Sequence, residues 1–290
     1  RETSRGRYRC RQRSPGLHMH SNMPSSTPQE IAGSNDLSVV QLLSRERLDG
    51  FTVKLGPNKD ADLLGRYLYN LAVSQALYPL LHTLEVVLRN RIFDVVSADN
   101  PIHPDEPHLY NDYPCWLDAD QPLLVPDHRL TVKVAKETVF KDLRRRYGSA
   151  QAAARRYRTS GRLVSELPLS FWVFLFDSEY LGEGRESGVL WPKYFDAVFP
   201  HRNGQGSPVL VRKRLRRLLV VRNRVMHHER ITPYQNHEGV LDVKRTREDT
   251  LELIEWMSPR AAQAQITYGE WSETYGMSYQ RFMQWVARRV

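Results

Sequence analysis

The chain has 290 residues, of which 41% are hydrophobic and 26% are charged, and its formal net charge is +9. This length allows one large domain or two small ones, and no uninterrupted apolar run approaches the roughly eighteen residues of a membrane-spanning helix. The two cysteines, Cys10 and Cys115, exclude a disulfide framework, and the histidines show no metal-ligand spacing. We therefore expect no cofactor, no metal ion and no membrane insertion, and the basic excess favours a polyanionic partner.

Residues 1–36 are rich in Arg, Ser, Pro and Gly and lack apolar periodicity, which predicts a disordered basic tail. Six arginines among the first thirteen residues supply much of the net charge. The first residue is not Met, and Met19 and Met23 lie inside the segment. An over-extended translation start is one interpretation of this tail, and a nucleic-acid-binding arm is the other.

From Leu37 onward the pattern is helical. A short helix is expected over 39–48, followed by a long one over 63–96, in which Pro79 either introduces a kink or begins a second half. Residues 99–127 contain six prolines, which predicts a structured loop or insertion. Further helices are predicted over residues 130–147, 151–157, 169–181 and 191–199.

A strongly basic helix is predicted over 208–228, with Ser207 as its N-cap and Pro208 at its first position. Residues 246–257 begin with a sequence close to a capping box and predict another helix. Residues 278–290 predict a last amphipathic helix. The sequence therefore favours an all-α fold, a helical bundle with additional helices and a Pro-rich insertion.

The basic helix ends in Arg222-Asn223-Arg224-Val225-Met226-His227-His228-Glu229. Arg222 is a fixed cation with a fork of donors that suits phosphate oxygens. His227 can exchange a proton near neutral pH, because an unperturbed imidazole titrates at about 6.5. Asn223 lies four residues before His227, so on a helix its amide shares a face with the ring and can orient it. These three groups fit metal-free RNA cleavage; the simpler alternative is an amphipathic helix with solvated charges.

A second polar stretch interrupts the long apolar helix at Glu85, Arg89 and Asn90. Glu85 and Arg89 are four residues apart, so one interpretation is an ion pair that supports the helix and nothing more. In the other interpretation, Glu85, Arg89 and Asn90 line a cleft that faces Arg222 and His227. They would then position the catalytic residues or the RNA.

Seven basic residues precede or belong to the motif within thirteen positions. They are Arg212, Lys213, Arg214, Arg216, Arg217, Arg222 and Arg224. A solvated helix face explains such a run most simply. Its proximity to a phosphate-cleaving motif favours contact with the RNA backbone, and we select Arg212 and Arg216 as candidate substrate-binding residues.

The spacing Arg222-Asn223-x-x-x-His227 resembles the signature of the HEPN superfamily. The longer string through Glu229 is similar to the Abi-like branch of abortive-infection proteins, as is the Leu-Glu-x-x-Leu-Arg-Asn stretch from Leu84 to Asn90. Residues 167–191, with their Leu-Pro-Leu-Ser-Phe-Trp run, also resemble this family. The resemblance implies an Abi-like HEPN domain over 37–257, which is a HEPN-like helical bundle, and leaves 258–290 as a C-terminal helical extension.

Resemblance to this family implies a metal-independent endoribonuclease that acts in phage defence or as a toxin in the cytoplasm. RNA would be cleaved by attack of its own 2′-hydroxyl, with His227 as general base or acid and Arg222 stabilising the phosphoryl charge. It also implies a homodimer with facing motifs, and an antitoxin or neutralising partner is a further expectation. The alternative is a non-catalytic RNA-binding or partner-binding HEPN module. We interpret His228 as a surface or packing residue and expect Glu229 to cap the helix or to pair with Arg230.

Overall fold

The computed structural model describes residues 39–52, 59–99, 116–117, 123–156, 160–182, 190–231, 235–236, 239–240 and 242–268. Its helices are α1 (Val39–Leu43), α2 (Arg45–Asp49), α3 (Asp60–Asp99), α4 (Pro126–Tyr147), α5 (Ala150–Arg156), α6 (Ser160–Glu166), α7 (Leu169–Phe174), α8 (Phe195–Val198), α9 (Pro208–Met226), α10 (Val243–Met257) and α11 (Pro259–Tyr268). A 3-10 turn covers Ser178–Tyr180, and two-residue strands β1 (Gln235–Asn236) and β2 (Gly239–Val240) pair antiparallel. The all-α class is confirmed. The basic tail over 1–36, most of the Pro-rich segment and the helix over 278–290 lie outside the described residues.

Helix α3 is the centre of the bundle, because α2 and each of α6 to α11 pack against it. Its buried residues recur every three or four positions, from Leu77 through Leu81, Leu84 and Leu88. This spacing places them on a face that a helix can bury along its whole length. Pro79 is exposed, and the helix continues through it as a single element of 40 residues.

Helix α3 is also long and apolar enough, by length and composition alone, to cross a membrane. The search for uninterrupted apolar runs did not detect this helix, because an 18-residue window of α3 reaches a mean hydropathy of 1.4 although polar residues interrupt it. The expected absence of membrane insertion stays a prediction. A third of that window is buried inside the protein. The helices packed around α3 and its buried Asn70 fit the core helix of a bundle.

Aromatic packing shortens the helix that was predicted over 169–181. Helix α7 ends at Phe174, and Phe176 stacks on Trp191 with the ring centroids 4.4 Å apart and the planes at 12°. The Trp191 indole N–H donates to the carbonyl of Leu175 at 2.6 Å. Because these contacts turn the chain at Leu175, the predicted helix was wrong beyond α7.

The start of α9 follows the sequence prediction. The Ser207 hydroxyl accepts a hydrogen bond from the N–H of Leu210 at 3.2 Å, with Pro208 in the first turn. Gly206 precedes this cap at a φ of 74°, and a Cβ there would lie 2.7 Å from the Trp256 ring. Glycine is thus required on both conformational and steric grounds.

Side-chain caps account for two departures from the predicted helix boundaries. Helix α10 begins at Val243 because Asp242 caps it, accepting from the Arg245 N–H at 3.1 Å. Thr246 is therefore an interior residue rather than the cap, and its buried hydroxyl donates to the Asp242 carbonyl. The helix predicted over 39–48 is divided at Ser44, whose φ of 66° interrupts it and whose side chain caps α2.

Candidate functional site

Arg222 and Glu85 join α9 to α3. The Arg222 Nε and Nη2 lie 3.2 and 3.1 Å from the same oxygen of Glu85. A third donor, Nη1, bonds to the Asn223 amide oxygen at 3.3 Å. The Arg222 side chain keeps 28% of its surface exposed and Glu85 keeps 16%. The ion pair therefore fixes the guanidinium in orientation without covering it.

A guanidinium group carries five N–H bonds. One donates to Glu85 and one to Asn223, and Nη2 lies at ion-pair distance from Glu85, so at least two have no acceptor among the described residues. The Arg222 side chain borders a depression of about 80 Å³ between α3 and α9. Tyr78, His82 and Met226 also line it, and all three are exposed.

The expected ion pair between Glu85 and Arg89 is not formed in the described part of the chain. The carboxylate reaches across to Arg222 instead, because α9 packs beside this face of α3. The Nε of Arg89 is buried and has no hydrogen-bond partner among the described residues. Asn90, the next residue, is exposed. The interpretation of Glu85 as a local helix-supporting residue was therefore wrong.

His227 is the first residue after α9, so the predicted helix end at residue 228 was two residues too long. Its backbone N–H donates to the carbonyl of Asn223 at 2.9 Å, and its side chain is exposed. Among the described residues the Asn223 amide oxygen bonds to Arg222 rather than to the imidazole. The predicted orienting role of Asn223 toward His227 is therefore not seen.

The imidazole of His227 borders a second and larger cavity, an open cleft of about 770 Å³ between α2 and the segment after α9. Other lining residues include Ser44, Arg47, Phe51 and Arg230. Arg222 borders the smaller depression, so the two candidate catalytic side chains face different cavities of one chain.

A buried asparagine holds the segment that carries His227. Asn70 on α3 donates to the Glu229 carbonyl at 3.1 Å and accepts from the Ile231 N–H at 2.7 Å. Satisfying two backbone groups at once makes Asn70 an anchor for residues 229–231, because a buried amide left unpaired costs free energy. The anchoring role of Asn70 was not predicted, because a single Asn among apolar residues does not indicate which distant backbone groups it will bind.

Arg230 closes one wall of the cleft. Its guanidinium donates to the carbonyl oxygens of Gly50 and Thr52 at 2.7 and 3.3 Å and lies over the Phe51 ring. Burial, and to a smaller extent the nearby charge of Arg66, lowers the pKa of Arg230. These contacts connect α2 with the end of α9 and thereby shape the cleft beside His227.

The remaining motif residues have local roles. His228 is exposed at a φ of 57°, which fits its interpretation as a surface residue. Glu229 lies 3.1 Å from Arg224, so the expected pairing with Arg230 was wrong. The turn after α9 brings the Glu229 N–H onto the Arg224 carbonyl at 2.8 Å, and this places the two side chains together.

Most of the basic run on α9 is neutralised by acidic residues from elsewhere in the chain. Arg212 and Arg216 share Asp177, at 3.1 and 2.8 Å. Arg214 and Arg217 share Asp249, at 3.3 and 2.8 Å. Of the seven basic residues, Lys213 alone has no ion pair within the described ranges. Contact of Arg212 and Arg216 with RNA remains a prediction, and it requires competition with Asp177.

His82 was also missed by the sequence analysis. It lies three residues before Glu85, so both face the depression beside Arg222, and that spacing was its signal. No group of three or more His, Cys, Asp or Glu side chains placed to hold a metal ion occurs in the described part of the chain.

Comparison with known proteins identifies no relative: no family model matches the chain, and no curated protein or solved structure is similar to it. The case for function therefore rests on the motif residues and on the geometry described above.

Proposed function

We propose that this protein is a HEPN-type, metal-independent endoribonuclease of the Abi-like kind. The observation that carries the proposal is the state of Arg222. The Glu85 carboxylate orients its guanidinium, and two of its N–H bonds have no acceptor among the described residues. The exposed imidazole of His227 follows at the end of the same helix. A cation with a fixed orientation is suited to stabilising charge that develops in a transition state.

The proposed reaction begins with attack of the RNA 2′-hydroxyl oxygen on the adjacent phosphorus. One His227 imidazole accepts the proton of that hydroxyl, and an imidazole donates a proton to the departing 5′-oxygen. The bond from phosphorus to the 5′-oxygen breaks, which leaves a 2′,3′-cyclic phosphate and a 5′-hydroxyl. Arg222 stabilises the negative charge on the non-bridging oxygens. DNA lacks the attacking hydroxyl and is not cleaved.

A homodimer with facing motifs belongs to the proposal. Because Arg222 and His227 border different cavities of one chain, a single phosphate meets both most simply where the ends of two α9 helices converge. Action in the cytoplasm in phage defence or as a toxin, with an antitoxin as partner, completes the proposal.

A non-catalytic RNA-binding or partner-binding HEPN module is the second candidate. The observation that favours it is the same ion pair, because Glu85 offsets the positive charge that the transition state would use. In that case the protein binds RNA or another partner and leaves the phosphodiester intact.

A cleavage assay with EDTA present separates the two functions. We expect unmodified RNA to be cut into fragments with 2′,3′-cyclic phosphate ends, while the same sequence with 2′-O-methyl groups is bound and remains whole. Mass spectrometry of the products identifies the ends. Intact RNA after prolonged incubation with the dimeric protein would support the binding module, and cleavage of the 2′-O-methyl RNA would exclude the proposed chemistry.

A further inference from the structure

The largest concentration of unpaired positive charge in the described part of the chain lies on α4. Its last two turns expose Lys141, Arg144, Arg145 and Arg146, and none of the four forms an ion pair with a described residue. Cations at a helix C-terminus are favoured by the helix dipole, which accounts for a basic last turn. The dipole does not account for the convergence of these cations with a further one from α6.

A groove of about 500 Å³ separates α4 from α6. Thr138, Lys141 and Arg145 line it from α4. Arg162 and Ser165 line it from α6. Its two carboxylates are Asp142, which pairs with Arg162 at 3.3 Å, and Glu166. Glu137 lies one turn from Lys141 on α4. With Arg144 and Arg146 nearby on α4, five cations stand against three carboxylates among the described residues in and around the groove.

An aromatic ring follows these cations at the C-terminal end of α4, outside the residues that line the groove. Tyr147 is 38% exposed, and the Arg146 guanidinium lies 5.9 Å from its ring centroid. Cations close to an exposed aromatic ring suit single-stranded nucleic acid, because phosphates bind the cations while bases stack on the ring. An acidic protein would need the cations and would make no use of the exposed ring.

We infer that the groove between α4 and α6 binds the backbone of single-stranded RNA, with phosphates on Lys141 and Arg145 and a base on Tyr147. Only the identity of the nucleic acid rests on the proposed function; the charge and shape of the groove are independent of catalysis. An arginine of α9 that binds a phosphate must first break its ion pair with a carboxylate. A cation of α4 that binds a phosphate releases only a counterion from solution. The net gain from counterion release is therefore larger on α4.

The test measures binding of the full-length protein to a fluorescein-labelled 2′-O-methyl RNA across a salt series, since this probe cannot be cut by 2′-hydroxyl attack. The variants are Lys141→Ala and Arg145→Ala, with Arg145→Lys to retain the charge. Lys244→Ala is the matched control, because Lys244 is an exposed lysine on another helix. Each loss of a phosphate contact should lower the slope of log K against log salt by about 0.7. Tyr147→Leu should weaken binding by roughly fivefold or more, with the salt slope unchanged.

Melting temperatures equal to wild type establish that the exposed substitutions leave the fold intact. Equal losses of RNA affinity in Lys141→Ala and Lys244→Ala would overturn the inference, because binding would then depend on net charge alone.

A second experiment measures binding of the same variants to phosphatidylserine vesicles, since Leu130 and Val134 are exposed on the same side of α4. Loss of vesicle binding with RNA binding unchanged would overturn it in favour of a membrane surface. Groove-dependent RNA binding without any cleavage of unmodified RNA would uphold the inference and refute the proposed enzyme.

Discussion

Helices α9 and α4 are both strongly basic, and they use their charge differently. Six of the seven basic residues on α9 pair with a carboxylate, and every partner outside the motif comes from a segment distant in sequence. The last two turns of α4 present four cations to solvent without such partners among the described residues. A basic run in a sequence therefore indicates how much charge is present and says little about how much is available.

The difference between paired cations on α9 and unpaired cations on α4 indicates different roles for the two helices. Ion pairs fix the α9 side chains, so that helix is suited to a precise geometry at its end, where Arg222 and His227 lie. The exposed cations of α4 lack a fixed geometry and suit a sequence-independent attraction to phosphates. We therefore expect substitutions on α9 to change turnover or stability and substitutions on α4 to change binding.

The largest effect is expected at the end of α9. His227→Ala should lower turnover by about two to four orders of magnitude, because the reaction loses its proton-transfer group. Single-turnover cleavage of saturating RNA with EDTA measures the rate. His228→Ala is the matched control, since its side chain is equally exposed and has no role in the mechanism. Similar losses in both variants, or a lowered melting temperature in His227→Ala, would indicate a structural role.

Arg222→Lys should lower turnover by about a hundredfold, because an ammonium group cannot bond to Glu85 and a phosphate with the same fork of donors. Binding of 2′-O-methyl RNA should change little.

Glu85→Gln tests the positioning role of Glu85 separately: the kcat of this variant should fall, while its KM and melting temperature stay near wild type. Neutralising Lys141 should do the reverse and leave turnover at saturation unchanged. Equal turnover losses at Arg222 and Lys141 would erase the distinction between the helices.

Local signals in the sequence predicted much of the fold and part of the candidate site. The cap at Ser207 and the helical class follow from short-range preferences, and these were confirmed. The end of α7 was not predictable, because it depends on the stacking of Phe176 on Trp191, fifteen residues away. The partner of Glu85 was missed for the same reason. The spacing of four residues on one helix predicts that Glu85 pairs with Arg89. The observed contact of Glu85 with Arg222 depends on the packing of α9 against α3, which local spacing does not show.

The third effect concerns stability. Asp249 keeps only 10% of its side chain exposed and pairs with both Arg214 and Arg217. Asp249→Ala leaves Arg217 without a carboxylate among the described residues and leaves Arg214 with Glu252 alone. It should cost about 1–3 kcal/mol, less than for a fully buried pair because both arginines retain solvent. Lys141→Ala should stay within about 0.5 kcal/mol of wild type. Urea unfolding measures both, and an equal cost would show that the ion pairs of α9 add nothing to stability.

The start of α4 contrasts with its end and gives a weaker, pH-dependent effect. His128 Nδ1 lies 2.5 Å from the Tyr180 hydroxyl, which also accepts from the Val125 N–H. Burial lowers the pKa of His128, although nearby carboxylates, Asp177 foremost, partly oppose it. Burial raises the pKa of Tyr180, so its hydroxyl stays protonated and can donate to a neutral imidazole.

Below the ordinary imidazole pKa of about 6.5, the unfolded chain takes up a proton that folded His128 resists. The His128 contribution is thus complete above that pH and is lost as the pH falls toward the folded pKa, by at most about 1.4 kcal/mol per pH unit. His128→Gln should flatten this part of the stability profile in urea unfolding between neutral pH and mild acid. His201→Gln, at an exposed histidine, is the control substitution.

The smallest effect is expected at Lys213, the one basic residue of the α9 run that has no ion pair among the described residues. Its neighbours Arg212 and Arg214 are held by Asp177, Asp249 and Glu252. A phosphate that approaches Lys213 therefore also approaches those carboxylates, and their repulsion offsets part of the attraction. Lys213→Ala should lower the salt slope of RNA binding by clearly less than the value of about 0.7 expected for Lys141→Ala. A larger change at Lys213 than at Lys141 would assign the RNA backbone to α9, as the sequence pattern first predicted, and would require phosphates to displace Asp177 from Arg212 and Arg216.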